Sequence, residues 1–184
     1  MEYMLFALDM IGTAAFALSG AMTAIKKKMD ILGVMILGMV TATGGGMIRD
    51  LVLGIVPPQV FREPVYALSA LAVSAFIFIY IYFRAKGYQE ISGAHFQLLL
   101  MTADTLGLGV FTVAGVRAAF DHHMGLNYFL AVFLGTITGV GGGLLRDMMA
   151  GDRPYIFVKH VYASASILGA FVCAFCWNRL GEET

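Results

Sequence analysis

Six stretches of the chain are apolar for long enough to cross a bilayer, and the polar residues gather between them. They run roughly Met4–Ile25, Ile31–Leu53, Val65–Phe83, Leu98–Ala119, Asn127–Met149 and Tyr155–Trp177. About 20 mostly apolar residues cross the ~30 Å of hydrocarbon at ~1.5 Å per residue, so each stretch predicts one membrane-spanning α-helix. The runs are too long, and alternate too little with period two, for barrel strands. The fold class is therefore an all-α integral membrane protein, a single transmembrane domain over residues 1–184. The first stretch reads as a retained helix, because Lys26-Lys27-Lys28 follow the apolar run where a signal peptide would have its charge first.

Composition agrees with the pattern. The chain is 59% hydrophobic and 13% charged, with a mean hydropathy of +0.80. Soluble domains carry roughly a quarter charged residues, so this one lacks the charge to wet a compact surface. Twelve basic and twelve acidic residues leave no net charge, and with it no electrostatic case for nucleic acid as a partner. Charge position says more than charge sum. With the N-terminus outside, the inner loops hold Lys26, Lys27, Lys28, Arg84, Lys86, Arg153 and Lys159, and the outer side Arg62, Arg117 and Arg179. The positive-inside rule therefore places the N-terminus outside a plasma (inner) membrane.

The chain also repeats itself. Shifted by 97 residues, Val34–Asp50 meets Ala131–Asp147 with eight of 17 positions identical, including three consecutive glycines and the Arg-Asp pair after them. The register continues through Gly54/Gly151 and Pro57/Pro154. A shift of 95 aligns Asp9, Gly12, Phe16 and Gly20 with Asp104, Gly107, Phe111 and Gly115, and a shift of 96 aligns Val65-Tyr66-Ala67 with Val161-Tyr162-Ala163. Repeat one covers about 4–83 and repeat two about 98–177, three spans each. An odd number of spans makes the second copy enter from the opposite side, which predicts inverted repeats about an axis in the membrane plane. Solute paths run at such repeat interfaces in transporters.

Six ionisable residues fall within the predicted spans: Asp9, Arg49, Asp50, Asp104, Arg146 and Asp147. Insertion scales put each at about 2.5–3.5 kcal/mol at mid-bilayer, so the set must pair or face water. Asp9 and Arg49 share the outer half, and Asp104 and Arg146 the inner half, which predicts two structural ion pairs. That would leave Asp50 and Asp147 as uncompensated carboxylates for a polar path. Gly38, Ala42, Gly46 and Asp50 lie four apart, as do Gly135, Gly139, Gly143 and Asp147, so each carboxylate ends a small-residue stripe on one helix face. Such stripes admit close helix packing. Three glycines in a row, Gly44–Gly46 and Gly141–Gly143, exceed what one packing face uses. They cost roughly 2–3 kcal/mol of helix propensity and predict a kink or unwound turn with freed carbonyls. With the hydroxyls of Thr41 and Thr138, these are hard oxygen ligands for a transient alkali cation, with no tightly bound metal.

Other features weigh less. Cys173-x-x-Cys176 sits in an apolar helix and reads as two packing thiols. His122, His123 and His160 lie near interfaces, where a polar boundary explains them. The glycine triplets lack the GK[ST] of a phosphate loop, and no nucleophile–base constellation suggests an enzyme.

At GGGMIRD and GGGLLRD, with LDMIGTAAFALSG and TADTLGLGVFTVAG heading the two copies, the chain resembles prokaryotic members of the trimeric intracellular cation (TRIC-type) channel family. The same bacterial group carries a glycine-transporter (UPF0126-like) label. The resemblance implies a homotrimer in membrane lipid and no cofactor. Each protomer would hold a pore for monovalent cations, lined by the second and fifth spans kinked at Gly44–Gly46 and Gly141–Gly143. It also implies a seventh helix after repeat two, whereas this chain stops at Thr184. The function expected is passive potassium or sodium conduction, with secondary transport of a small zwitterion such as glycine as the alternative.

Overall fold

A computed structural model describes residues 2–84, 94–122, 127–158 and 160–181; Lys86, His123 and Lys159 lie outside these. Eight helices follow in order: α1 Glu2–Lys26, α2 Ile31–Val52, α3 Gln59–Arg62, α4 Val65–Arg84, α5 Ala94–Asp121, α6 Tyr128–Met149, α7 Tyr155–Val158 and α8 His160–Gly181. No strand occurs among the described residues. Five helices are long and apolar enough to span a membrane, and α8 contributes a shorter apolar stretch, Ala163–Trp177. The sixth predicted window thus began too early. Its first residues form the separate helix α7, which Pro154 starts, and α3 holds the matching place after Pro57-Pro58 in repeat one. Two four-residue helices have too few residues for a periodic signal, so hydropathy could not resolve them.

The two repeats share their punctuation as well as their spans. Asp30 caps α2 by accepting from the Gly33 amide at 2.8 Å, and Asn127 caps α6 by accepting from Leu130 at 3.1 Å. Both helices end on a glycine in the left-handed region, Gly54 at φ 73° and Gly151 at φ 72°. The amides of Ile55 and Asp152 then reach back to the carbonyls of Asp50 and Asp147 at 2.8 and 2.9 Å. These are Schellman ends, where a side chain on the glycine would strain the backbone.

The repeats are inverted, and they meet along two seams. One is α2 against α6; the other is α1 against α5. Helices α4 and α8 sit outside, against α1–α2 and α5–α6 respectively. The buried core is small-residue packing: Phe16, Ala17, Ala42 and Ala70 near the centre, and alanine-rich clusters toward each face. Large apolar side chains such as Leu68, Phe76, Leu168 and Phe171 point outward. In lipid that exposure is harmless, so close backbone approach must hold the bundle together instead.

Candidate functional site

The glycine triplets lie at the α2–α6 seam. Neither breaks its helix: α2 and α6 each run as one α-helix through the triplet. The expected unwound turn is therefore absent, and its carbonyls remain in the helical ladder. What the glycines permit is contact. A Cβ on Gly45 would collide with the backbone oxygen of Thr138, and a Cβ on Gly142 with that of Thr41. Gly45 and Gly142 are repeat equivalents, as are Thr41 and Thr138, so the crossing obeys the pseudo-symmetry. Gly141 faces the Gly45 Cα, Gly44 takes the Leu145 side chain, and Gly143 is buried. The hydroxyls of Thr41 and Thr138 donate to Leu37 O and Leu134 O, both at 2.6 Å, within their own helices. They are fully buried and present no oxygen to a path between α2 and α6.

Both Arg-Asp pairs build the same local unit. Arg49 donates through Nε and Nη2 to Asp50 Oδ1 at 2.9 and 2.7 Å, while Asp50 Oδ2 accepts the Gln59 amide of α3 at 2.7 Å. Arg146 donates to Asp147 Oδ1 at 2.8 Å, and Asp147 Oδ2 accepts the Tyr155 amide of α7 at 2.9 Å. These carboxylates are thus compensated by the preceding arginine and dock the short helices, so neither stands uncompensated, contrary to the sequence expectation. Asp50 nevertheless lines a polar hollow, as the sequence suggested, whereas Asp147 is buried in the cluster with Arg146.

The repeats differ at the partner aspartate. Toward the face that carries Lys26–Lys28, Arg146 Nη1 lies 2.5 Å from Asp104 Oδ1 and from Ser19 Oγ. The cluster is sealed, with Arg146 2% exposed and Asp104 6%. Lys27 adds an ion pair to Asp152 across the repeats on the same face. Toward the face of the N-terminus, Arg49 bonds Asp50 and Gln59 but forms no ion pair with Asp9, contrary to the sequence expectation. Two substitutions between the copies contribute. Ser19 of the sealed cluster corresponds to Ala114, and the buried Met22 to Arg117, which pairs with Asp121 at 3.1 Å. Ala114 offers no hydroxyl to bridge Arg49 and Asp9.

Where the sealed cluster would be, hollows open instead. Three adjoining ones, of about 80, 230 and 220 Å³, are all lined by Asp9 and Ala114. They lie between α1, α2 and α5; Thr13, Thr43, Gly46 and Phe111 line the first, and Arg117, Asp121 and His122 the last. No α6 residue lines any of the three, so these hollows do not run along the α2–α6 seam. Phe16 and Phe111, repeat equivalents, pack at 5.2 Å between ring centroids near the centre. Phe16 lies against Gly107 and Phe111 against Gly12, again by the repeat symmetry. In the sequence Arg117 counted only as an outer-side charge, and Ser19 carried no reading. The signal was present in the 95-residue shift, at the positions where the copies differ.

Comparison with known proteins agrees with the architecture. The family model described as "Glycine transporter" matches residues 6–82 and 101–178. The chain is 38% identical over 167 residues to the UPF0126 inner membrane protein YadS of Escherichia coli K12, covering 91% of this chain and 76% of that one. It is 39% identical to a UPF0126 membrane protein of Deinococcus radiodurans, over 89% of this chain and 72% of the other. Among solved structures, the TRIC trimeric intracellular cation channel orthologue from Rhodobacter sphaeroides superposes with a TM-score of 0.82 at 35% identity, covering 97% of this chain and 86% of the other. A prokaryotic TRIC channel solved in 0.5 M KCl gives 0.84 at 32% identity with the same coverage.

Proposed function

Because the chain belongs to the TRIC/UPF0126 family of membrane proteins, we propose that it is a passive channel for monovalent cations, potassium and sodium, assembled as a homotrimer with one pore in each protomer. It sits in the inner (plasma) membrane, with the N-terminus outside and the Lys26–Lys28 face inside. The observation that carries this reading is the polar hollow between α1, α2 and α5, lined by Asp9, Thr13, Thr43, Gly46, Arg49 and Asp50. A polar hollow between apolar helices admits water and ions where lipid cannot reach.

The path runs along α1, α2 and α5, with Gly46 of the first triplet in its wall. Below the hollow stands the Phe16–Phe111 pair, and beyond it the buried cluster of Arg146, Asp104, Asp147 and Ser19. The first is an apolar constriction that excludes ions by dewetting. The second is a polar plug. This arrangement is a closed channel, open on one side. Planar bilayers holding the purified protein under a potassium gradient should show discrete current steps reversing near the potassium equilibrium potential. Silent bilayers from folded protein would refute the channel. Phe111→Ala should raise open probability or leak by removing half of the constriction; unchanged currents would place the barrier elsewhere.

One observation favours a second reading. An opening on one face with a sealed counterpart on the other is also what an alternating-access carrier for a small zwitterion would present. Uptake of labelled glycine into liposomes, without ionic current, would select it.

A further inference from the structure

We propose that Asp9 is the cation-binding residue of the hollow, the point where an entering potassium or sodium ion first exchanges water for a protein oxygen. This deepens the channel reading and rests on it. The two repeats treat equivalent carboxylates differently. In repeat two, the equivalent carboxylate Asp104 is occupied by a monovalent cation, the Arg146 guanidinium, at 2.5 Å, with the Ser19 hydroxyl beside it. In repeat one the same position of the fold keeps its carboxylate and loses its occupant. Arg49 is engaged with Asp50 and Gln59, and Asp9 lines three hollows.

The surrounding charge points to the sign of the occupant. Arg49 is neutralised by Asp50 at 2.7 Å and Arg117 by Asp121 at 3.1 Å. Among the described residues Asp9 is then the carboxylate in the lining without an ion-pair partner, and when ionised it leaves the wall one negative charge in excess. A hollow with that balance concentrates cations and repels anions. Nearby oxygens are neutral or engaged: the Thr13 hydroxyl donates to Asp9 O at 2.8 Å, and that of Thr43 to Met39 O at 2.9 Å. One carboxylate with water around it holds a cation weakly, which permits it to leave again. The guanidinium of Arg49, on the same wall, is placed to compete with the ion for Asp9, as Arg146 does permanently for Asp104.

The test uses two readouts, one of them independent of conduction. In detergent, the thermal midpoint of the purified protein is measured in potassium chloride and in N-methylglucamine chloride at equal ionic strength. The wild type should gain stability in potassium, and Asp9→Asn should lose that gain, while Asp9→Glu retains it. In bilayers under a potassium chloride gradient, Asp9→Asn should move the reversal potential toward zero. A potassium-dependent shift that survives in Asp9→Asn, or cation selectivity equal to the wild type, would overturn the proposal and leave the channel standing. Silent wild-type bilayers would refute the channel, and the thermal arm would still decide whether Asp9 binds the ion. A shift produced by glycine in place of potassium, and abolished in Asp9→Asn, would overturn a cation as the occupant. Asp9→Asn removes no side-chain hydrogen bond or ion pair among the described residues, so it should fold; Asp9→Ser provides the same reading should asparagine pair with Arg49.

Discussion

Arg146→Met is expected to lower stability by about 3–5 kcal/mol, the range found when one member of a buried charge pair is removed. The guanidinium holds Asp104 and Asp147 together, with Ser19 as a further partner, in a cluster where all the charged members are less than a tenth exposed. Methionine fills much of the volume but strands two carboxylates away from water. Lysine should recover little, because a single ammonium cannot reproduce the fork to three partners. Adding Asp104→Asn to Arg146→Met should return part of the loss, since one stranded charge is gone. That recovery is a coupling energy a double-mutant cycle isolates. The equivalent Arg49→Met should lose less, about 1.5–3 kcal/mol for charged hydrogen bonds. Arg49 holds one carboxylate, and its side chain is 13% exposed beside the hollow. Unfolding midpoints of the purified protein in detergent measure all four. Equal losses at Arg49 and Arg146 would mean that the two faces are equally sealed in the membrane.

Gly45→Leu and Gly142→Leu should abolish the folded protein, a larger effect than narrowing a pore lined by kinked triplets would produce. Overpacking a well-filled core typically costs about 1–3 kcal/mol when side chains can shift. Here the obstacle to a single Cβ is a backbone oxygen, Thr138 O against Gly45 and Thr41 O against Gly142. A carbonyl inside a helix cannot rotate away, so the two helices must separate. Even Gly45→Ala should lower the unfolding midpoint, although alanine gains about 1 kcal/mol of helix propensity over glycine. Gly109→Ala is the control: nothing approaches that position, so the propensity gain should appear undiminished. Gly45→Leu protein that remains assembled, with reduced current, would restore the triplets to the conduction path.

Periodicity and repetition made much of this molecule legible. Long apolar stretches located the helices because a bilayer accepts no other open backbone. The 97-residue shift located the inverted architecture, since duplicated sequence folds into duplicated structure whichever way it is threaded. Side-chain partnership was less legible. Asp9 and Arg49 share a membrane half, as Asp104 and Arg146 do, and sharing a half was the whole basis for pairing them. Which oxygen a guanidinium reaches depends on ångström-scale approach between helices far apart in sequence, and on one bridging hydroxyl, Ser19, whose counterpart is Ala114.

The amino-acid sequence by itself determined a membrane-embedded bundle of α-helices, its doubling, its inversion and the set of groups that had to find partners. These follow from local quantities: hydropathy summed along a segment, an odd number of spans, and the free energy of a charge in hydrocarbon. Tertiary structure alone decided what the glycine triplets do and which carboxylate remains open. A glycine triplet in a helix serves equally to bend it or to admit a neighbour, and only the position of Thr41 and Thr138 across the seam selects the second. Two carboxylates per repeat compete for one arginine, and the amides of Gln59 and Tyr155 fix Asp50 and Asp147 beside it. Asp104 is then closed by contact with Ser19 and Arg146, while Asp9, lacking that third helix-borne hydroxyl, is left facing the hollow.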